Sequence, residues 1–328
     1  MQPVKHGSAT CYTLALLIAL VAAGPAAFAS YPYTEFAVPG ANGTEIQGIS
    51  GSTIYGDYLD ANSTYHGFVL SNGQLTTFNA PQAGSASQQG TVVKGVSGSE
   101  VFGYIYDANS GLHGFTETGG VYSMLDAPGA VQTTNGGTIL TAIDGQNEVG
   151  SYSNGSAVLG FLYNGSAFTS IIDPLGPTHT LPNAISGSTV AGYYLDATGV
   201  EHGFVFDGAN YTTIDDPAGV TAPFPYKPGG TVIRAMNGTD LLGSYMDFNG
   251  HWVQHGLIYD GTTFQTVDFS PSSTALTGES GNTLVGIYYT ASDTIPHSFI
   301  ATTPEPTSVG MLLLGSSLLA LGRRRSRL

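Results

Sequence analysis

A motif of about 15 residues recurs six times along the chain. Its clearest copy ends at Phe115 and reads Val-Phe-Gly-Tyr-Ile-Tyr-Asp-Ala-Asn-Ser-Gly-Leu-His-Gly-Phe. Each copy has a glycine just before its tyrosines, which we call the anchor glycine. The anchor glycines are Gly56, Gly103, Gly150, Gly192, Gly243 and Gly286, spaced 42 to 51 residues apart. A period of about 45 residues is typical of propellers and solenoids, whose units each form one small supersecondary structure.

One unit contains four short segments with strand character. In the fourth unit they are Asn183–Ser186, Thr189–Leu195, His202–Phe206 and Tyr211–Asp215. The segments are rich in β-branched and aromatic residues and are separated by Gly, Asp, Asn and Ser turns. No segment between the two termini shows a sustained helical period. Four short strands in about 45 residues predict a propeller blade.

The two ends of the array predict a closed ring. The sixth unit stops after its third strand, at His297–Ile300, while Tyr33–Ala41 near the N-terminus resembles the fourth strand of other units, such as Tyr122–Ala130. An N-terminal strand that completes the last blade would remove open sheet edges. We therefore predict an all-β, six-bladed β-propeller closed by the N-terminal strand. The alternative is a linear β-solenoid, which should have capping units at both ends.

The N-terminus has the parts of a secretory signal peptide. Lys5 and His6 precede an apolar run from Leu14 to Ala23, and Ala27-Phe28-Ala29 forms an A-x-A cleavage site. We predict cleavage after Ala29, with an uncleaved anchor helix as the alternative. The single cysteine, Cys11, would leave with the peptide, so the mature chain would have no disulfide and would depend on a packed core.

The C-terminus contains a proline-glutamate box, an apolar run and a basic tail. The box is Pro304-Glu305-Pro306, the run is Val309–Leu321, and the tail contains Arg323, Arg324, Arg325 and Arg327. In order and spacing these parts resemble the PEP-CTERM sorting signal of bacterial envelope proteins. The resemblance implies a transient transmembrane helix, processing by an exosortase, and export to an envelope or biofilm matrix. The predicted domains are a signal peptide (1–29), the propeller (30–302) and the sorting signal (303–328).

The predicted mature body is strongly acidic. Between Ser30 and Thr303 the only basic residues are Lys94, Lys227 and Arg234, against 22 acidic residues, which gives a formal charge of −19. A nucleic-acid partner would require a basic face, which this composition excludes. Gly, Ser, Thr and Tyr are abundant and charges are sparse, a composition that alone would suggest disorder, but the regular aliphatic and aromatic positions indicate a folded β protein.

The repeat carries a histidine in five of its six copies. These histidines are His66, His113, His202, His255 and His297. Histidine can act as a metal ligand or an acid–base group near neutral pH. However, residues repeated once per blade lie a blade apart, so we interpret them as structural, bonded within their own blades. The His-Gly-Phe triplets resemble the extracellular HAF repeat family, and this resemblance implies secretion and a repeat fold but no activity.

The turn aspartates Asp60, Asp107, Asp196 and Asp247 raise the question of calcium. Their loops are rich in oxygen ligands, but they lack the closing glutamate and the alternating carboxylates of an EF-hand. Tight turns select Asp and Asn for conformational reasons alone. We therefore predict no metal and no cofactor, with structural calcium as the alternative.

Signatures of catalysis are weak. The chain has no Gly-x-Ser-x-Gly elbow and no His-Glu-x-x-His motif. The carboxylates of Asp215-Asp216 are adjacent on a strand and point to opposite faces, so they cannot flank one glycosidic bond. We predict that the protein is not an enzyme, with a polysaccharide lyase or hydrolase as the alternative.

Binding residues are sought where the units differ. The least repetitive segments are the connections between blades, Gly84–Gly90, Thr133–Gly137, Leu175–Leu181 and Ala218–Gly230. The candidate contacts are aromatic and basic residues, namely Phe224, Tyr226, Lys227, His251 and Trp252, because aromatic rings can stack on sugars. The predicted function is non-catalytic binding of extracellular polysaccharide across one rim. A purely structural spacer is the other alternative.

Overall fold

The fold is all-β. The computed structural model describes residues 32–219, 229–248, 251–269, 273–290 and 295–303, and these contain 24 strands and no helix. None of them therefore belongs to a helix able to cross a membrane. The predicted signal peptide and the predicted sorting signal, with Pro304, Glu305, Pro306 and the arginines of the tail, lie outside the described residues.

The strands form six antiparallel groups of four, which we call blades one to six. Single parallel pairings, Tyr65 with Gly90 and Glu201 with Gly230, join blade one to blade two and blade four to blade five. Blade one contains β2 (Gly43–Ser50), β3 (Thr53–Leu59), β4 (Tyr65–Ser71) and β5 (Gln74–Phe78). Blade two contains β6 (Gly90–Ser97), β7 (Glu100–Tyr106), β8 (Leu112–Thr118) and β9 (Val121–Leu125). Blade three contains β10 (Thr138–Asp144), β11 (Asn147–Ser153), β12 (Val158–Tyr163) and β13 (Phe168–Ile171).

The second half of the chain repeats this order. Blade four contains β14 (Thr180–Ser186), β15 (Thr189–Leu195), β16 (Glu201–Phe206) and β17 (Tyr211–Ile214). Blade five contains β18 (Gly230–Asn237), β19 (Asp240–Phe248), β20 (Trp252–Tyr259) and β21 (Phe264–Val267). Blade six contains β22 (Ser273–Ser280), β23 (Thr283–Tyr289), β24 (His297–Thr302) and, as its fourth strand, β1 (Tyr33–Phe36).

The N-terminal strand closes the ring, as predicted. β1 pairs antiparallel with β24, with Tyr33 opposite Ala301 and Phe36 opposite Ser298. Blade six also bonds to blade one, because Ser298 Oγ accepts from the Ile46 N–H at 2.8 Å and donates to the Thr44 carbonyl at 2.7 Å. The units therefore form a closed six-bladed β-propeller, and the linear alternative is wrong.

The core lies between adjacent blades rather than at the centre of the ring. The last residue of each His-Gly-Phe triplet, or its equivalent, is at most 1% exposed; these residues are Phe68, Phe115, Phe161, Phe204, Leu257 and Phe299. Five buried clusters join neighbouring sheets, as where Ala191 of blade four packs with Ile233 of blade five. Each cluster contains one of these third-strand residues together with residues of the other strands.

The anchor glycine has a steric cause. In every blade it pairs with the first strand at a β-bulge, where one residue of that strand is left without a partner. In blade two the bulged residue is Lys94, between Val93 and Gly95, and Val93 lies opposite Gly103. A Cβ on Gly103 would overlap the Val92 carbonyl oxygen, and the same overlap recurs at the other five anchor glycines. Glycine is therefore required for the bulge to form.

Replacing an anchor glycine should therefore destabilise the fold. We expect Gly103→Ala to lower the free energy of unfolding by about 3 kcal/mol, because the first strand of the blade must move to relieve the overlap. Urea denaturation of the 30–303 fragment measures this. The matched control is Gly111→Ala, where a Cβ would meet only the side-chain ends of Gln132 and Asp107 at 3.2 and 3.3 Å. Equal stability of Gly103→Ala and wild type would contradict this account.

Removing β1 should open the ring. A fragment that begins at Ala37 loses the pairing with β24 and the contact of Phe36 with Phe68, whose ring centroids are 5.6 Å apart. We expect a loss of about 3 kcal/mol, which corresponds to a fall in the thermal midpoint of roughly 6 °C or more. Differential scanning calorimetry against the 30–303 fragment measures the change. An unaltered midpoint would show that β1 does not close the ring.

Candidate functional site

The propeller has two rims with different connections. One rim contains the turns between the second and third strands together with the segments that join consecutive blades; we call it the connection rim. The opposite rim contains the tight hairpins between the first and second strands and between the third and fourth strands; we call it the hairpin rim. Three of the variable connections, Gly84–Gly90, Thr133–Gly137 and Leu175–Leu181, belong to the connection rim, as does Trp252 at the start of β20. Most of the fourth, Ala218–Gly230, lies outside the described residues.

The predicted binding residues are only partly described. Phe224, Tyr226 and Lys227 lie in residues 220–228, outside the described residues. His251 is exposed, and the half-buried Trp252 contacts Phe248, whose ring lies 5.2 Å away and which is 46% exposed. Phe248 is a neighbour that the sequence reasoning missed. Binding at these five residues therefore stays a prediction.

The repeated histidines bond within their own blades. In blade four, His202 Nδ1 lies 2.8 Å from Asp215, which follows the fourth strand, and His202 Nε2 lies 3.7 Å from the turn residue Asp196. The imidazole also stacks on Tyr194, with ring centroids 5.1 Å apart. The residues that contact Nδ1 of the five histidines are Asn79, Asp126, Asp215, Asp268 and Glu35.

This arrangement joins the third strand to the turn before it and to the end of the fourth strand. The hydrogen bond from His255 to Asp268, at 2.7 Å, raises the pKa of that histidine. In blade six the carboxylate comes from Glu35 on β1, at 2.9 Å from His297, so the same contact also fastens the closing strand. In the five blades that have this histidine, its contacts hold strands of the same blade together.

The carboxylates of the turn aspartates accept hydrogen bonds from backbone N–H groups of their own turns. Asp107 Oδ1 accepts from the backbone N–H groups of Asn109 and Gly111 at 2.8 and 2.7 Å. Asp60 makes the same turn, and the hydrogen bond from the Thr64 N–H lowers its pKa. Within the described part of the chain, no group of three or more His, Cys, Asp or Glu side chains is arranged to hold a metal ion.

The six bulged residues line one cavity at the centre of the ring. We call them the bulge ring, and in order from blade one to blade six they are Gln47, Lys94, Thr141, Asn183, Arg234 and Thr277. The cavity has a volume of about 420 Å³. Its lining runs along β2 from Glu45 to Ser50, the end of the strand, so the cavity lies toward the hairpin rim. It is therefore distinct from His251 and Trp252, the two predicted binding residues that the structure describes, on the connection rim.

The bulge ring has a twofold pattern. Its side chains are amide, cation and threonine in blades one to three, and again amide, cation and threonine in blades four to six. In a ring of six blades, residues three blades apart face each other across the channel. Lys94 therefore faces Arg234, while Gln47 faces Asn183. The ring holds two of the three basic residues between Ser30 and Thr303.

Blade one adds two carboxyl groups beside the ring. Glu45 on β2 and Asp57 on β3 are cross-strand partners. Gln47 Nε2 donates to Glu45 Oε2 at 3.2 Å and to Asp57 Oδ1 at 3.0 Å, and Gln47 Oε1 accepts from Lys94 Nζ at 2.6 Å. The amide of Gln47 thus connects the cation of blade two to both carboxyl groups of blade one.

In the first half of the ring, blades one to three, burial shifts the pKa values of the charged groups. Burial raises the pKa of Asp57 well above its ordinary value, and repulsion from Glu45 adds to the effect. Burial also raises the pKa of Glu45, although the charge of Lys94 acts against it, and burial lowers the pKa of Lys94. The carboxyl pair therefore retains a proton to a higher pH than exposed carboxyl groups do.

In the second half of the ring, blades four to six, fewer of the buried polar atoms have hydrogen-bond partners. Asn183 Nδ2 donates to the Ile233 carbonyl at 2.7 Å. Among the described residues, Arg234 Nε and Thr277 Oγ1 are buried atoms without a hydrogen-bond partner, and Thr277 is only 8% exposed. Buried polar atoms in native proteins are nearly always satisfied, so two orphans in one cavity point to a ligand or to ordered water.

The sequence reasoning missed this site although a signal was present. When the repeats are aligned on their anchor glycines, each bulged residue lies nine positions before the glycine. At this position consecutive blades have an amide, a cation and a hydroxyl side chain. At the aligned positions of Glu45 and Asp57 no other blade has an acidic residue, and blade four has Leu181 and Tyr193. The units do differ where function is expected, but in the channel as well as in the connections.

Comparison with known proteins does not assign the chain to a family. No model of a known protein family matches the chain, and no curated protein sequence matches it. Among solved structures, similar chains include the Aleuria aurantia lectin bound to α-methyl-L-fucoside, with 13% identity, a TM-score of 0.40, and coverage of 85% of this chain and 96% of that chain. At this level of similarity the likeness carries no conclusion about function.

Two further matches are equally distant. The β-propeller domain of the Trilobed protease from Pyrococcus furiosus has 8% identity and a TM-score of 0.41, covering 79% of this chain and 96% of that chain. The SapL1 lectin in complex with α-methyl fucoside has 12% identity and a TM-score of 0.37, covering 85% and 98%.

The buried carboxyl pair predicts a specific pH dependence of stability. A carboxyl group whose pKa is raised on folding binds more protons in the native state than in the unfolded state, so its contribution to stability falls as the pH rises. We expect Asp57→Asn to become more stable relative to wild type between pH 5 and pH 8, by about 1 kcal/mol or more. Urea denaturation at the two pH values measures this.

The control is an aspartate whose pKa shifts the other way. Hydrogen bonds from Thr263 lower the pKa of the exposed Asp260, so its contribution is constant above pH 5. Asp260→Asn should therefore change stability equally at both pH values. A wild type and an Asp57→Asn variant with parallel pH profiles would show that the carboxyl pair is not perturbed.

Proposed function

We propose that this protein is an exported, non-catalytic envelope or biofilm-matrix protein that binds extracellular polysaccharide in its central channel. The observation that supports the proposal most is the bulge ring. Six equivalent bulges direct the side chains in which the blades differ into one cavity of about 420 Å³. This volume lies within the range of about 300–1,000 Å³ that is usual for ligand sites.

The chemistry of the cavity suits a hydroxylated ligand. The ring offers the amide of Asn183 and the hydroxyl group of Thr277, which together can donate and accept hydrogen bonds. The amide of Gln47 and the hydroxyl group of Thr141 bond within the protein. Sugar hydroxyl groups have the same dual capacity. A cavity at the hairpin rim of a closed ring is suited to a terminal or short glycan segment rather than to the middle of a long chain.

Export and sorting are part of the proposal. The signal peptide before Ala29 and the PEP-CTERM resemblance after Thr303 support secretion, processing by an exosortase, and transient anchoring in the inner membrane through the C-terminal helix. A body with a formal charge of −19 suits an extracellular protein that must stay dispersed among acidic polymers.

Catalysis is the second candidate, and one observation favours it. The raised pKa of Asp57 is a property of general acids in active sites. Against this, Glu45 and Asp57 are neighbours on one sheet and accept from the same amide of Gln47, whereas the carboxyl groups of a glycosidase flank the scissile bond. We therefore propose binding without turnover.

A glycan array with the 30–303 fragment, with and without calcium, tests the proposal. We expect binding to at least one extracellular polysaccharide without release of products, and no requirement for calcium. Thr277→Val removes the hydroxyl group but keeps the shape, and we expect it to weaken binding about fivefold, as for the loss of one hydrogen bond of about 1 kcal/mol.

The matched control distinguishes the channel from the connection rim. Trp252→Ala alters the aromatic pair on the connection rim and should leave the affinity for the glycan unchanged. The opposite result, a loss with Trp252→Ala and none with Thr277→Val, would place binding at the connection rim. Silence on all glycans would favour the structural spacer, and steady release of products would favour an enzyme.

A further inference from the structure

The two cations of the bulge ring differ in how their charges are compensated. Lys94 is tied through Gln47 to the carboxyl pair of Glu45 and Asp57, so the first half of the ring contains both signs of charge. Arg234, on the opposite blade, occupies the equivalent position in the second half. Because the pattern repeats after three blades, the two halves can be compared position by position.

The second half contains no equivalent of the carboxyl pair. Where blade one has Glu45 and Asp57, blade four has Leu181 and Tyr193. No carboxylate of the described residues lies within 4.0 Å of the Arg234 guanidinium, and Arg234 Nε is a buried atom without a hydrogen-bond partner among them.

The nearest acidic groups act on Arg234 only through the electric field. The charge of Arg234 acts to lower the pKa of Glu201 and of Glu45, but burial has the larger effect on both, and the pKa of Glu201 is raised to about 7. Neither group forms an ion pair with Arg234. Although the chain is strongly acidic, none of the carboxyl groups of the described residues forms an ion pair with this cation.

An uncompensated guanidinium in a cavity favours an anionic ligand. Arg234 is half-buried, and its buried Nε lacks the hydrogen-bond acceptor that would replace its lost solvation. The planar guanidinium matches a carboxylate in a bidentate geometry. Thr277 on blade six contributes an orphan hydroxyl group next along the ring, and Asn183 on blade four lies on the other side. These neighbours can bond to hydroxyl groups next to the carboxylate.

We propose that the channel recognises a uronate, a sugar whose carboxylate binds Arg234 while its hydroxyl groups bond to Thr277 and Asn183. This inference rests on the proposed function, because it specifies which polysaccharides enter the cavity. It assigns the two halves of the bulge ring different roles. The Lys94 half is neutralised within the protein, and the Arg234 half is neutralised by the ligand.

Matched pairs of oligosaccharides test the proposal. Short oligouronates, such as oligogalacturonate, oligomannuronate and oligoguluronate, are each compared with the neutral oligosaccharide obtained by reducing their carboxyl groups. Isothermal titration calorimetry uses the 30–303 fragment at fixed ionic strength, with sodium acetate as a third ligand. We expect at least one oligouronate to bind tenfold or more tightly than its neutral partner, and acetate to bind far more weakly than either sugar.

Substitutions at Arg234 identify the residue that discriminates. Arg234→Gln should remove the preference for the oligouronate while leaving the affinity for the neutral oligosaccharide within about twofold. Arg234→Lys should retain part of the preference, since the charge remains but the bidentate geometry is lost. The thermal midpoints of both variants are measured as folding controls, and Asp260→Asn, which changes one exposed charge outside the cavity, is the control substitution expected to retain the preference for uronate.

The outcomes separate the two proposals. Equal binding of an oligouronate and its neutral partner would overturn the uronate assignment and leave polysaccharide binding in the channel intact. A preference for uronate that survives Arg234→Gln in a folded variant would also overturn it. If no oligosaccharide of either kind binds, or if acetate binds as tightly as the sugars, the uronate assignment is overturned, and the glycan array then decides on polysaccharide binding separately.

Discussion

The structure depends on a close contact between two backbone segments in each blade. The anchor glycine of the second strand lies against a carbonyl oxygen of the first strand, at a distance that no side chain permits. This contact accommodates a β-bulge in the first strand, and the bulge turns one side chain per blade toward the axis of the ring. The most regular residue of the repeat is therefore what allows the most variable side chains to meet in one cavity.

The contacts on the connection rim and the proposed binding site in the channel are consequently separated in space. The His-Gly-Phe triplets supply the third-strand side chains that pack between blades and the histidines that fasten the connection rim. The bulge ring lies toward the hairpin rim, and three of its side chains also bond to a neighbouring blade: Lys94 to Gln47, Thr141 to the Pro182 carbonyl and Asn183 to the Ile233 carbonyl. The polar groups in the channel differ from blade to blade, whereas the packed third-strand positions are nearly uniform.

Much of the fold could be predicted from the sequence, because the repeat reports local structure. Strand-forming segments, turn residues and the spacing of the anchor glycines indicated a blade, and the fourth-strand pattern of Tyr33–Phe36 indicated closure, which β1 confirms. The bulges could not be predicted, since a one-residue shift in register leaves little trace in a strand of eight residues. Without the bulge, Gln47 and Lys94 would have been assigned to ordinary strand faces, and the cross-strand pairing of Glu45 with Asp57 depends on the same register.

The Arg234 guanidinium in the channel is the group proposed to contact the carboxylate of the ligand. Arg234 is the only arginine between Ser30 and Thr303, so the 30–303 fragment has a single arginine Nε–H signal in a ¹H–¹⁵N NMR spectrum. We predict that this signal shifts, and that its exchange with water slows, during titration with the tightest-binding oligouronate, while the carboxyl-reduced oligosaccharide causes little change. A signal that stays unchanged when the protein is saturated with the oligouronate would contradict the claim.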